Sequence, residues 1–284
     1  MIVDMRVRPP IAPWISKPQF LSDNYYPARA GFPRPLSAQR QSMPMLLSEM
    51  DAAGVQWGVI AGRQAAEPLG VVSNDAVADV LAAYPDRFVA FAGIAVNDPP
   101  ALAIAEVDRC LALPGFKGIL IEPAAAAAPL SLDDRRLYPL YEHCAKREVP
   151  LTITLSLELV KLVSHSSTLA SPMPLYQAAR DFPALQFVIA HGAWPFVQEM
   201  VGLAFVLPNV WLSPDLYMVG TDMPFAIEYV KAANLYLSDR TMFGTGYPSR
   251  PHAESVQAFA QWPFAPGVAD KVLGRNALRL MGMD

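Results

Sequence analysis

Short apolar runs alternate along the chain with longer stretches in which apolar residues recur every three or four positions. The first pattern is that of buried strands, the second that of helices with one buried face. The runs predict strands at Ile2–Arg6, Gln56–Ala61, Phe88–Ile94, Gly118–Ile121, Leu151–Leu155, Phe187–Ala190, Val210–Leu212 and Thr241–Phe243. Between them the periodicity predicts helices at Met45–Ala53, with Ser42 as cap and Gly54 as stop, and at Asp75–Ala83, capped by Ser73 or Asn74. Further helices are expected at Ala101–Leu113, Arg135–Lys146, Leu175–Asp181, Pro195–Phe205, Pro224–Ala233 and Ala253–Gln261. Two more, Pro266–Leu273 and Asn276–Met283, end the sequence.

Strands that each lead into a helix, repeated eight times, predict an α/β fold: one (β/α)8 TIM-barrel domain over residues 1–284 with extra C-terminal helices. The competing open, doubly wound sheet calls for a Gly-rich turn after the first strand, and none is present. The pattern is interrupted once, at residues 9–41. This insertion is rich in proline and aromatics, among them Trp14, Phe20, Tyr25, Tyr26 and Phe32. Loops of this length inside a compact domain usually cover a site, so it is expected to act as a lid over the barrel mouth, with Arg29 and Arg34 in reach. Plain packing is the other reading.

Composition narrows the function classes. The 284 residues are 53% hydrophobic and 17% charged, with a net charge of −4. No basic tract suggests nucleic acid. No apolar run approaches the roughly 18 residues of a membrane helix. The N-terminus lacks a basic segment followed by an apolar one, so no signal peptide is expected. The two cysteines, Cys110 and Cys144, read as buried thiols of a cytoplasmic protein.

In such a barrel the chemistry sits at the carboxyl ends of the strands. Strict alternation along the first strand would send Asp4, Arg6 and Arg8 to one face and Met5 and Val7 to the other. Two inward arginines need an anion, either protein carboxylates (Arg6 with Asp4, Arg8 with Glu122) or a bound acid. Glu122 ends the fourth strand, Thr154 the fifth and His191 the sixth. Asp215 follows the seventh; Tyr247 and Arg250 follow the eighth. His191, oriented by Asp215, is the expected general acid or base; a relic histidine bonded to backbone is its bland counterpart. Arg6, Arg8, Glu122, Thr154, Tyr247 and Arg250 are expected to bind substrate, with Arg63 a weaker candidate. His252, at a helix start, reads as a surface residue, His165 as solvated and His143 as a packing or surface residue.

Several motifs together resemble the amidohydrolase-related family of metal-dependent barrels: Met50-Asp51-Ala52-Ala53-Gly54-Val55, Tyr84-Pro85-Asp86-Arg87-Phe88, Gly115-Phe116-Lys117-Gly118-Ile119, Ile189-Ala190-His191-Gly192-Ala193-Trp194-Pro195, Phe243-Gly244-Thr245-Gly246-Tyr247-Pro248 and Leu273-Gly274-Arg275-Asn276-Ala277. The resemblance implies a barrel fold and relatives that are decarboxylases, hydratases and a lactonase. It also implies metal ligands at five positions, which here hold Arg6, Arg8, Thr154, His191 and Gly246. From that substitution the chain is expected to carry no metal and no cofactor, a divalent ion such as Zn²⁺ returning only if ligand loss is misread. It is expected to act on a small carboxylate, lactone or ester hydrolysis being favoured over hydration, isomerisation or decarboxylation. The alternative is a non-catalytic descendant that binds a small acid. The resemblance also suggests a homodimer.

Overall fold

The computed structural model describes residues 1–21, 33–220 and 222–284. Seven parallel strands form one sheet in chain order: β1 (Ile2–Val7), β2 (Val55–Ala61), β3 (Phe88–Gly93), β4 (Phe116–Ile121), β5 (Leu151–Thr154), β6 (Phe187–Ala190) and β7 (Val210–Ser213). Helices return the chain from each strand to the next. They include Met43–Ala52 and Asn74–Ala83, whose caps Ser42 and Ser73 accept from Met45 N and Ala76 N.

The eighth strand predicted at Thr241–Phe243 is not a continuous strand. The segment touches β7 through a parallel bridge at Leu212–Thr241, and β1 through one at Val7–Tyr247. Met5 N donates to Phe243 O at 3.0 Å and Arg8 N to Tyr247 O at 3.0 Å. Between these two bonds a side chain replaces the ladder. One oxygen of Asp4 accepts the backbone N–H of Arg6 (3.0 Å) and of Thr245 (2.9 Å), and the other accepts the Thr245 hydroxyl. The barrel is thus closed by a carboxylate at the place where backbone pairing lapses.

The same spot corrects the expected alternation of β1. Met5 packs inside the barrel with Val3, Val59, Val89, Phe91 and Leu120, whereas Val7 joins Ile60, Ala90 and Ile119 in the cluster shared with the helices. Asp4 meets His252, the first residue of the helix His252–Phe259. Arg6 turns inward to Thr154. The β1–β2 register shifts between Asp4 and Val7. An irregularity of this kind adds a residue to the strand and re-aims the side chains beyond it. Asp4 and Arg6 therefore do not share a face.

Within the insertion the described residues form short helices at Ala12–Ile15, Pro18–Leu21 and Leu36–Gln39. Tyr25, Tyr26, Arg29 and Phe32 lie outside the described residues. Trp14 is fully buried, with the guanidinium of Arg8 5.2 Å from its ring centre. Sequence periodicity missed the helix Leu157–Leu162, which Ser156 caps at Leu159 N. The end of the chain is one path, not two helices: the turns Val268–Asp270 and Asn276–Leu280 are joined by a π-helix at Lys271–Arg275. Among the described residues no helix is long and apolar enough to cross a membrane.

Replacing Asp4 with alanine strands two buried backbone N–H groups, each of which costs about 1–3 kcal/mol. Asp4→Ala is therefore expected to lower unfolding free energy by roughly 3 kcal/mol or more in urea titration. A loss under about 1 kcal/mol would show that closure does not depend on this carboxylate.

Candidate active site

Six strand ends bring one polar cluster to the barrel mouth. Its hub is Glu122, fully buried just beyond β4. Arg63 Nη2 donates to its Oε1 at 3.1 Å; Arg8 Nη2 stands at 3.6 Å and Arg6 Nη2 at 3.9 Å. Burial alone would push the Glu122 carboxyl up. The positive charges of Arg63, Arg8 and Arg6 outweigh it and hold the group below the ordinary carboxylate range. Glu122 is thus ionised. The expected Arg8–Glu122 pair is present, but the expected Arg6–Asp4 pair is not. Arg6 gives Asp4 only its backbone N–H, while its guanidinium faces Thr154 Oγ1 (3.2 Å), Asp215 Oδ2 (3.9 Å) and Glu122.

His191 and Asp215 form the second part. His191 Nδ1 lies 2.8 Å from Asp215 Oδ1, and His191 N donates to Oδ2 at 3.1 Å. One carboxylate holds both the ring and the backbone of the histidine. Asp215 also accepts from Leu216 N. Both residues sit at positive φ, 67° for His191 and 41° for Asp215, a backbone state that side-chain-bearing residues rarely adopt and that concentrates at functional sites. Burial pushes the His191 imidazole below its usual value; Asp215 opposes this and Arg6 adds to it. The ring is therefore neutral at pH 7. With Nδ1–H directed at Asp215, the lone pair is left on Nε2. The edge of His191 meets the Tyr217 ring at 5.7 Å, and Tyr217 stacks on Trp194.

Other expected residues are placed differently. The Tyr247 hydroxyl lies 2.8 Å from Ser37 Oγ, which donates to Glu49. His252 is no surface residue: it is fully buried, stacks on Tyr247 and has Nε2 3.3 Å from Asp4 Oδ2. Arg250 is also fully buried. Arg63, weakly signalled by its place just after β2, makes the shortest contact to the hub. Nothing in the residue pattern marks Asp4 and His252 as partners, since 248 positions separate them in the chain.

Arg8, Arg63, Ser156, Leu159, His191 and Tyr217 line a cavity of about 30 Å³. That holds one or two waters, far below the roughly 300–1,000 Å³ of small-molecule sites. A substrate larger than that enters only when the covering side chains move.

Comparison with known proteins places this geometry. Residues 3–283 match the amidohydrolase family model. A TIM-barrel protein of Bordetella bronchiseptica superimposes with a TM-score of 0.91 at 35% identity, over 99% of this chain and 98% of that one. The gamma-resorcylate decarboxylase of Rhizobium radiobacter is 34% identical over 110 residues, which is 37% of this chain and 32% of the relative. The match thus spans about a third of that enzyme's length. A dihydroxybenzoic acid decarboxylase from Polaromonas, with bound manganese and the inhibitor 2-nitroresorcinol, superimposes with a TM-score of 0.65 at 17% identity over 99% of this chain and 97% of that one.

The manganese of the Polaromonas enzyme overturns the expectation that the chain carries no metal, and that expectation is withdrawn. The described residues nevertheless do not fit such an ion. No three His, Cys, Asp or Glu side chains among them gather to hold one. The open donors are His191 Nε2 and the buried Glu122 Oε2, which accepts no hydrogen bond among the described residues, and guanidiniums flank Glu122. Catalytic zinc generally takes three protein ligands. By its sequence along nearly its whole length and by its fold, the chain belongs to the amidohydrolase family.

Proposed function

We propose that this chain is a lyase that decarboxylates a small aromatic acid carrying a hydroxyl beside its carboxylate. The observation that carries the reading is an imidazole held by a carboxylate at 2.8 Å in the same cluster as two inward arginines. The names of the relatives support carbon–carbon cleavage over the lactone or ester hydrolysis that the sequence favours.

Arg6 and Arg8 hold the carboxylate by charge-assisted hydrogen bonds. His191 Nε2 takes the proton of the neighbouring hydroxyl. The resulting imidazolium is stabilised by Asp215 and delivers that proton to the ring carbon bearing the carboxylate. The carbon–carboxylate bond then breaks, carbon dioxide leaves, and the bonding electrons restore the aromatic ring as a phenolate. Solvent protonates the phenolate, and His191 is neutral again. Tyr217 and the leucines lining the cavity exclude water from the proton transfer.

The first test is turnover of 2,6-dihydroxybenzoate, followed as carbon dioxide release. His191→Ala is expected to lower kcat by about 10²–10⁴-fold, the usual share of a positioned acid–base group, while acid binding persists. Unchanged turnover in this variant removes His191 from the mechanism. Arg6→Ala and Arg8→Ala should each weaken binding of the acid by about 1.5–3 kcal/mol in calorimetry; unaltered affinity in both makes the pair structural. The pH profile derives from the histidine. Because burial favours the neutral ring, the base form persists below the ordinary value of 6.5. Hence kcat/KM is expected to be level from pH 7 upward and to fall only below pH 6.5. An acid limb centred above 6.5 contradicts the assignment.

A further inference from the structure

Three guanidiniums converge on Glu122, and one differs from the other two. Arg63 is 2% exposed and lines the same cavity as His191. Its Nη2 donates to Glu122, whereas its Nε and Nη1 have no hydrogen-bond partner among the described residues. A buried donor left unmet is costly unless something arrives to meet it.

The position is built, not incidental. A Cβ on Gly62 would stand 2.3 Å from Gly93 N, and one on Gly93 would stand 2.6 Å from Arg63 N. The two backbones therefore pack at glycine distance and fix the main chain at Arg63. A short antiparallel ladder pairs Arg63 with Val72, and the Trp14 ring centre lies 6.0 Å from the guanidinium. The order of charges also matters. Asp215 joins His191 to Arg6, and Arg6 and Arg8 join Glu122. Arg63, like Arg8, meets Glu122 alone among the described carboxylates.

We propose that Arg63 is a specificity-determining residue that takes a second carboxylate of the substrate, so that the site selects small aromatic dicarboxylic acids. The proposal rests on the reading that Arg6 and Arg8 hold the reacting carboxylate. The second acid group lies against Arg63 and is not lost in the reaction. No bond to it forms or breaks.

Benzoate and isophthalate, one carboxylate against two on the same ring, are suitable probes. Calorimetry on the whole chain should show isophthalate bound at least roughly tenfold more tightly than benzoate, the lower end for hydrogen bonds to a charged group. In Arg63→Met that ratio should collapse towards one. Arg63→Lys keeps the charge beside Glu122 but loses the planar array of donors; it should fall between, and it serves if the methionine variant does not fold. Equal binding of the two acids by the natural chain overturns the proposal, as does a preference that survives in both variants. Failure of the natural chain to bind either acid sinks the Arg6 and Arg8 reading itself, a different result.

Discussion

The Asp4 carboxylate is the constraint on which the rest of this barrel depends. A closed parallel sheet needs its last segment to pair with its first, and here the backbone pairing is interrupted. Asp4 fills the interruption by accepting N–H groups from both sides of the seam, Arg6 and Thr245. The same bonds fix the backbone of Arg6 at the point where its side chain turns into the mouth. Closure and placement of the cation are thus one event. The hydroxyl of Thr245 and the ring of His252 complete the surroundings of the carboxylate.

The mouth faces the opposite problem, too many cations in a place with little water. Glu122 answers it by serving three guanidiniums at once, and they in turn keep it ionised. Opposite charges at close range offset part of the cost of burying such groups. Asp215 does comparable work for His191, holding ring and backbone together. The two carboxylates touch through Arg6, so the Glu122 half and the His191 half of the mouth share one residue.

Much of the fold was legible in the sequence because it arises from periodicity. The apolar runs and capped helices located all seven strands of the sheet and most of the helices. The strand ends named His191, Asp215, Glu122, Arg6 and Arg8, since the carboxyl end of a barrel strand is a defined place. The parts that stayed hidden depend on breaks in periodicity or on distance along the chain. Strict alternation put Asp4 beside Arg6, and one extra residue in β1 turned it away. The closing segment read as a strand because Met242 and Phe243 are apolar, although at Thr245 the Asp4 side chain takes the place of backbone pairing. The contact of His252 with Asp4 and the contact of Arg63 with Glu122 come from folding alone.

The irregularity in β1 makes the first strand a two-sided part. Asp4 looks towards the outer helices and Arg6, two residues on, looks into the mouth. The wall of the barrel is therefore thin at this point in a chemical sense. Whatever shifts the helix His252–Phe259 is one close contact and two residues away from Arg6. Adding or deleting a single residue here would exchange the two sides, placing a carboxylate where a cation belongs. The length of this strand is thus as much a part of the site as any side chain in it.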